Sequence, residues 1–150
     1  MAPSTKVTTK WNGPQVKILG KKVISDSTYK IGLVVEGQAK ELAARRYGYL
    51  AASINTQSKE NGDDVESPSK YAKETPPSYH KVDTFRKITK PESDNDTLVG
   101  TAVDYAIYQE MGTVKMNAAP FLRPALDLAQ GKSLTIVEVE GKKTFKDYLK

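Results

Sequence analysis

The sequence predicts an α+β fold in a single domain spanning residues 1–150, and three observations lead to this prediction. Apolar residues recur at three- or four-residue steps between Pro14 and Ala44, the period of a helix with one buried face. Short β-prone runs follow at 82–88 and 97–103, with turn-forming residues between them. A chain of 150 residues can bury one core, whereas a second core would be undersized. We expect an antiparallel sheet of about three to five strands against a long N-terminal helix, with a short helix and a C-terminal helix.

The first half of the chain contains the long helix and one predicted strand. Residues 6–10 are β-prone, and Asn12-Gly13 before Pro14 marks a turn with proline at the first helical position. One long helix, or two helices in line, is expected to end near Ala44. Beyond Gly48, apolar and polar residues alternate, which predicts a strand from Tyr49 to about Gln57.

A long polar loop is expected at 58–78, because this stretch contains almost no aliphatic residues and ends near Pro76-Pro77. Structureless loops of about twenty residues are uncommon in compact domains and are usually functional or disordered. The loop is therefore interpreted as a reaching arm or mobile hairpin, and a floppy insertion is the equally weighted alternative.

The second half is expected to hold a hairpin and two helices. The runs 82–88 and 97–103 should pair across the turn-rich residues between them. Asp104 can cap a short helix, Tyr105 to Met111, that ends at Gly112. Pro120 and Pro124 place the start of a further helix. The β-branched run 134–139 favours a strand by propensity, so that helix and strand both stay open for 133–149.

Composition and motifs give no support for catalysis. There are no cysteines, and no stretch approaches the roughly twenty apolar residues of a membrane span or forms a signal peptide, so a cytosolic site of synthesis is expected. No phosphate-binding glycine loop occurs, and His80 is interpreted as a solvated loop residue. We expect no enzyme activity, cofactor or metal. A nuclease using Asp63, Asp64, Glu66 and His80 is the disfavoured enzymatic alternative, because a polar loop offers no rigid second shell.

Two ungapped motifs resemble a known family. Residues 99–113 read VGTAVDYAIYQEMGT and residues 119–126 read APFLRPAL, and 47–54 (YGYLAASI) adds a weaker echo. Together they resemble the tail-component family of long-tailed double-stranded-DNA phages, which are tail-completion or head-tail joining proteins. Three features depart from the family pattern: Tyr47 replaces a threonine, Met111 replaces an aromatic residue, and the polar loop is long.

The resemblance implies a non-enzymatic virion protein of the phage neck, assembled in the bacterial cytoplasm. It would complete the tail and join it to the head as a ring, expected to hold six copies, through whose lumen DNA passes without sequence-specific contacts. Its partners would be copies of itself, the tail terminator or tail tube protein, and head-completion, stopper or connector proteins. A tail terminator or another minor tail or head-closure protein is the alternative within this class.

Six residues of the two motifs are candidates for protein contacts: Tyr105, Tyr108, Glu110, Met111, Phe121 and Arg123. Aromatic residues and arginine dominate binding hot spots, although Trp11, Tyr105 and Phe121 fit a core role better. We expect Tyr108, Glu110 and Arg123 to share one patch, and the polar loop to reach a neighbouring protein.

A small basic DNA-binding protein is the alternative from another class. The net charge is +5, and residues 1–50 carry nine basic and three acidic groups. The basic residues are scattered rather than interleaved with aromatics, which disfavours a stacking groove for nucleic acid.

Overall fold

The computed structural model describes residues 12–77 and 87–149. The elements, in chain order, are α1 (Gly13–Leu42), α2 (Tyr49–Ser53), β1 (Asn55–Ser58), a 3₁₀ turn (Pro68–Lys70), β2 (Thr97–Gly100), α3 (Ala106–Met111) and α4 (Leu122–Tyr148). The predicted α+β class, the long N-terminal helix, the short helix and the C-terminal helix are confirmed. The predictions for residues 6–10 and 82–86, Trp11 and His80 lie outside the described residues.

The two long helices pack against each other in antiparallel orientation. The Tyr148 hydroxyl near the end of α4 donates a hydrogen bond to Gln15 Oε1 near the start of α1, at 2.7 Å. At the opposite end, the alanines of early α4 share the buried core with Val35 and Ala39 of α1. This two-helix layer is the base on which the sheet lies.

The sheet crosses α1 at a glycine. β1 and β2 pair antiparallel with Asn55 opposite Gly100 and Ser58 opposite Thr97. A Cβ at Gly32 would lie 2.6 Å from Cγ2 of Thr97 and 2.8 Å from Cγ2 of Thr56. The helix can therefore approach both strands only because position 32 has no side chain.

The strand prediction for 49–57 is wrong in its first half, where residues 49–53 form α2. All five residues of α2 are buried, so the apparent alternation did not reflect one buried and one exposed face. The strand begins at Asn55, and its polar residues are all buried. Their side chains find partners: Thr56 Oγ1 donates to Gly32 O, and Gln57 Nε2 donates to Asp63 O. Burial of polar residues with satisfied hydrogen bonds leaves no hydrophobic pattern to read.

The predicted hairpin between 82–88 and 97–103 is not seen in the described part of its first run, and residues 82–86 lie outside the described residues. β2 pairs with β1, and the described end of the first run, Lys87 and Ile88, lies outside any strand. The sheet has two strands within residues 12–77 and 87–149 instead of the three to five expected. For 134–139, where propensity favoured a strand but helix or strand was left open, the structure has a helix. α4 continues through this stretch, and Ile136 and Glu140 lie beside Lys30 and Val34 of α1. The small helical cost of β-branched residues is outweighed by this packing.

The polar loop lies against the domain over much of its length, which corrects its interpretation as an arm. The Asp63 amide donates to Thr56 O, and the Glu66 amide donates to Ala52 O. Farther along, the amides of Lys73 and Glu74 donate to the carbonyls of Arg45 and Arg46. These backbone bonds hold 63–74 beside α2 and β1, so this part does not project freely.

A buried lysine links the polar loop to α1. Lys40 Nζ lies 2.5 Å from Glu36 Oε1 and 3.5 Å from Glu66 Oε1, and Lys40 and Glu36 are both buried. Burial alone would lower the pKa of Lys40, but the two carboxylates outweigh it and raise that pKa. The opposite balance holds for Glu66, where burial acts to raise the pKa and Tyr71, Lys70 and Lys40 together lower it. Lys40 and Glu66 are therefore both charged in the folded domain near neutral pH.

Two glycines of α1 provide a matched test of the close contact between helix and sheet. We expect Gly32→Ala to lower the free energy of unfolding by about 1–3 kcal/mol, because the added methyl group overlaps Thr56 and Thr97. Gly37→Ala should raise it by about 1 kcal/mol, since nothing lies within 4 Å of a Cβ there and alanine favours helix. Urea unfolding curves measure both changes. Equal stability of the two variants would contradict the packing described.

Candidate protein interface

The chain between α3 and α4 folds into a compact turn that starts at Gly112. This residue has φ 76°, and a Cβ there would lie 2.7 Å from Ala118 N and 2.9 Å from Met116 O. The Thr113 amide donates to Met116 O at 2.8 Å, and the Ala119 amide donates to Gln109 O at 2.8 Å. Glycine is required here by its positive φ and by the space. Its predicted role at the end of the short helix is confirmed.

Glu110 holds the first turn of α4. Its Oε2 accepts hydrogen bonds from the amides of Phe121 at 2.8 Å and Leu122 at 3.0 Å, and its Oε1 accepts one from the Arg123 amide at 3.1 Å. The first amides of a helix have no partner within the helix, and a carboxylate also interacts favourably with the positive end of the helix dipole. Glu110 thus caps α4 from outside that helix.

The protonation of Glu110 reflects this cap. Partial burial acts to raise the pKa of Glu110, but the three backbone amides and the nearby Arg123 guanidinium outweigh it, and the pKa lies below the ordinary glutamate value. The carboxylate is therefore charged wherever the cap is formed near neutral pH.

Phe121 is the apolar anchor of the same junction. Its side chain is fully buried and belongs to the core with Val35, Ala39, Ala106 and Ala125. The Phe121 amide and side chain thus fix the direction in which α4 leaves the turn. The preference for a core role at this position is confirmed, and its candidacy as a contact residue is wrong.

Around this anchored junction several large apolar side chains face solvent. We call Ile107, Tyr108, Met111 and Val114 the apolar ridge. They are 61%, 56%, 59% and 106% exposed, and the first three are neighbours on α3 by helical spacing. Arg123 Nη2 lies 3.1 Å from Met111 Sδ, so the guanidinium borders the ridge.

Only three of the six candidate residues form one exposed group. Tyr108, Met111 and Arg123 are exposed and lie together, as a shared contact surface requires. Tyr105 is 43% exposed, which does not support the core role preferred for it. Partial burial, and to a smaller extent the nearby Tyr49, raises the pKa of the Tyr105 hydroxyl. Glu110 points into the cap of α4 instead of sharing the patch.

The start of α3 also differs from expectation. Tyr105 is the residue before that helix, and no side chain, including that of Asp104, caps it.

The carboxylates considered for metal-dependent hydrolysis are engaged elsewhere. Asp64 Oδ1 lies 2.6 Å from Lys87 Nζ, Glu66 pairs with Lys70 at 3.1 Å, and Asp63 accepts a hydrogen bond from the Tyr29 hydroxyl at 3.4 Å. Within the described ranges 12–77 and 87–149, no three histidine or acidic residues are grouped so that they could hold a metal ion.

Over the same ranges, no helix is long and apolar enough to cross a membrane.

A concentration of lysines, which we call the basic end, was not anticipated from the sequence. The antiparallel pairing brings the start of α1 beside the end of α4, as Gln15 and Tyr148 show. All six of its lysines are exposed: Lys17, Lys21, Lys22, Lys142, Lys143 and Lys146. The lysines of α1 and those of α4 are more than a hundred residues apart in the sequence. They come together because the two helices pack antiparallel.

Comparison with known proteins adds no relative. No family model, no curated protein and no solved structure matches the chain. The function of this chain must therefore be inferred from its own residues and their geometry.

The cap at Glu110 predicts a stability effect that depends on pH. We expect Glu110→Gln to lower the free energy of unfolding by about 1 kcal/mol at pH 7, because the amide cannot provide two charged acceptors to the helix. Because the folded pKa lies below the ordinary value of about 4.3, this contribution is present above that pH and is lost as the pH falls through the folded pKa. The difference between variant and wild type should therefore shrink in acid. Urea unfolding at several pH values measures it, with Glu138→Gln, an exposed carboxylate on α4, as the control. A constant difference at all pH values would contradict the cap.

Proposed function

We propose that this chain is a structural subunit of the neck of a long-tailed phage, where it completes the tail and joins it to the head. The observation that carries the proposal is the apolar ridge on a rigid junction built by the two sequence motifs that resemble tail-component proteins. Glu110, Gly112 and Phe121 are used within the domain, whereas Tyr108, Met111 and Arg123 remain available for a partner.

The balance of buried and exposed apolar residues supports an assembling subunit. Among the described residues, nineteen large hydrophobic side chains are exposed, whereas thirteen hydrophobic residues are buried and seven of those are alanines. Scattered exposed apolar residues are normal, but a contiguous group such as the apolar ridge marks an interaction surface. Burial against partner subunits would supply stability that this small core lacks.

A ring of identical copies needs head-to-tail contacts, in which each copy presents two different complementary surfaces. The apolar ridge is one candidate surface, and six copies would close the ring in our proposal. The partners above and below would be head-completion or connector proteins and the tail terminator or tail tube. A tail terminator or other minor tail protein is the alternative placement within the same virion neck.

The basic end fits a position beside the DNA channel. Six exposed lysines at one end of the helix pair would interact with phosphates without reading bases, since ammonium groups neutralise the backbone and carry no sequence information there. DNA would then pass through the lumen while the apolar ridge contacts protein.

The proposal is tested by the position and the incorporation of the subunit. We expect cryo-electron microscopy of particles to place the chain at the junction of head and tail. Ile107→Asp with Val114→Asp should reduce incorporation into particles about tenfold or more, because charges replace apolar contacts at the ridge. Quantitative immunoblotting of purified particles measures incorporation.

The control for this experiment is Gln130→Asp, which adds the same type of charge at an exposed position of α4. Circular dichroism and thermal unfolding should be unchanged in all variants, so that loss of incorporation reports on contacts. Particles that carry the chain away from the neck, or full incorporation of the ridge variant, would contradict the proposal.

A second candidate, a small basic DNA-binding protein, is favoured by the basic end. This function predicts that the free chain binds duplex DNA with an affinity that falls steeply with salt, by about 0.9 logarithmic units per logarithmic unit of salt for each phosphate contact. Lys21→Glu with Lys143→Glu should remove binding, and Lys90→Glu with Lys115→Glu should not. Fluorescence anisotropy of labelled duplexes at several salt concentrations measures this.

The two functions differ in the strength of binding by the free chain. A neck subunit requires only weak, sequence-independent contacts, because the ring holds the DNA in place. Tight and sequence-selective binding by the free chain would favour the second candidate, and equal effects of the two double variants would exclude the basic end as the binding surface.

A further inference from the structure

Among residues 12–77 and 87–149, nothing pairs with the outer edge of β2. On the other side of the sheet, Thr56 O accepts the Asp63 amide and the Ser58 amide donates to Asn61 O, so the backbone groups of Thr56 and Ser58 point away from β2. Their partners in the register, Val99 and Thr97, must then direct their own amides and carbonyls away from β1. Those groups have no backbone partner among residues 12–77 and 87–149. Within the described part of the chain, β1 is thus flanked on both sides, and β2 is an edge strand.

An apolar groove runs beside this open edge. It has a volume of about 620 Å³, and its apolar walls are Ile31 and Val35 of α1, Leu98 and Val99 of β2, and Leu122 and Leu126 of α4. Two packed helices lie about 8–10 Å apart, whereas two strands lie about 4.8 Å apart. The helix layer is therefore wider than the two described strands, and the groove between β2 and α4 is wide enough for one more strand.

The N-terminal segment 5–11, with the sequence TKVTTKW, has the pattern of such a strand. Val7, Thr9 and Trp11 share one face by the two-residue period, and Lys6 and Lys10 lie on the other. β-branched and aromatic residues are the ones favoured in strands. Asp96 lies at the rim of the groove in the acidic turn before β2, which complements the two lysines. The Arg123 guanidinium at the other wall is turned to Met111.

The segment cannot reach the groove of its own chain. Asn12 precedes α1, and the nearest groove residue on that helix is Thr28, sixteen residues and about 24 Å farther along the axis. Trp11 is joined directly to Asn12, so it stays within about 4 Å of the start of α1. A fully extended chain spans at most about 3.3–3.6 Å per residue, so residues 6–11 fall short of the groove.

We propose that residues 5–11 of one copy bind the groove of a second copy as a third strand paired with β2. The open amides and carbonyls of Val99 and Thr97 provide the backbone contacts, and the groove takes Val7, Thr9 and Trp11. This is strand addition at an exposed sheet edge, and each copy gives one segment and accepts one. The contact is head-to-tail, so it rests on and deepens the proposed ring by naming one of its interfaces.

Trp11 is the single tryptophan of the chain and reports on this contact directly. We expect its emission to shift to shorter wavelength as protein concentration rises and association appears in analytical ultracentrifugation. Leu126→Asp should weaken association about tenfold or more and prevent the shift, because the charge lies in the groove. Leu128→Asp is the matched control: it lies two residues farther on the same helix, is similarly exposed (54% against 51%) and does not line the groove.

Mixing two impaired full-length chains tests whether the contact is between copies. The Leu126→Asp chain keeps the segment, whereas a chain with Val7→Asp and Trp11→Phe keeps the groove and carries no tryptophan. Neither should associate alone, and an equimolar mixture should form a pair in which the emission of Trp11 shifts. Emission that is independent of concentration, equal effects of Leu126→Asp and Leu128→Asp, or a mixture that does not pair would overturn the proposal.

The outcome is separable from that of the proposed function. If the chain lies at the neck but the groove variant and its control behave alike, the strand exchange fails and the neck function stands. If the variants behave as expected but particles lack the chain at the neck, the strand exchange stands and the neck function fails.

Discussion

The rest of the domain depends on the close packing of other elements around α1. α4, both strands and α2 all contact this helix, and the approach is possible because its inner face carries very small residues. Gly32 leaves room for the methyl groups of Thr56 and Thr97, and Ala39 is fully buried beside early α4. Small residues bury little area each, so the contact relies on short distances instead of large side chains. The core is accordingly compact, and many large apolar residues remain outside it.

Many of the buried residues of the domain are polar or charged. β1 is buried and polar, and Lys40 with Glu36 is buried beneath the polar loop. Buried polar groups destabilise a fold unless their partners are in place, so such contacts favour one arrangement strongly over its alternatives. The hydrogen bonds of Thr56 and Gln57 and the ion pairs of Lys40 therefore define where the sheet and the loop lie. This explains how a loop with almost no aliphatic residues is nevertheless held against the domain.

The junction between α3 and α4 connects this architecture with the proposed assembly. The cap by Glu110 and the burial of Phe121 fix the junction, and the ridge around Tyr108 and Met111 is presented to solvent. The groove beside β2 is also lined by Leu122 and Leu126 at the start of α4. In the proposed assembly, the surfaces that contact other subunits would therefore lie close to one fixed junction. The basic end of the helix pair would then be free to face DNA.

The sequence alone determined the fold class, α1, the short and C-terminal helices and the turn at Gly112, because periodicity, prolines and a positive-φ glycine are local signals. Of the six candidate contact residues, Tyr108, Met111 and Arg123 are exposed, and their contacts with partners stay a prediction. Only the tertiary structure decided that β2 pairs with polar β1, that 134–139 is helical and that Glu110 caps α4. These features arise from partners distant in the sequence. A buried polar strand has no hydrophobic pattern in the sequence, and neither does a carboxylate that caps a different helix. Both are stabilised by hydrogen-bond partners that are distant in the sequence and come close only on folding.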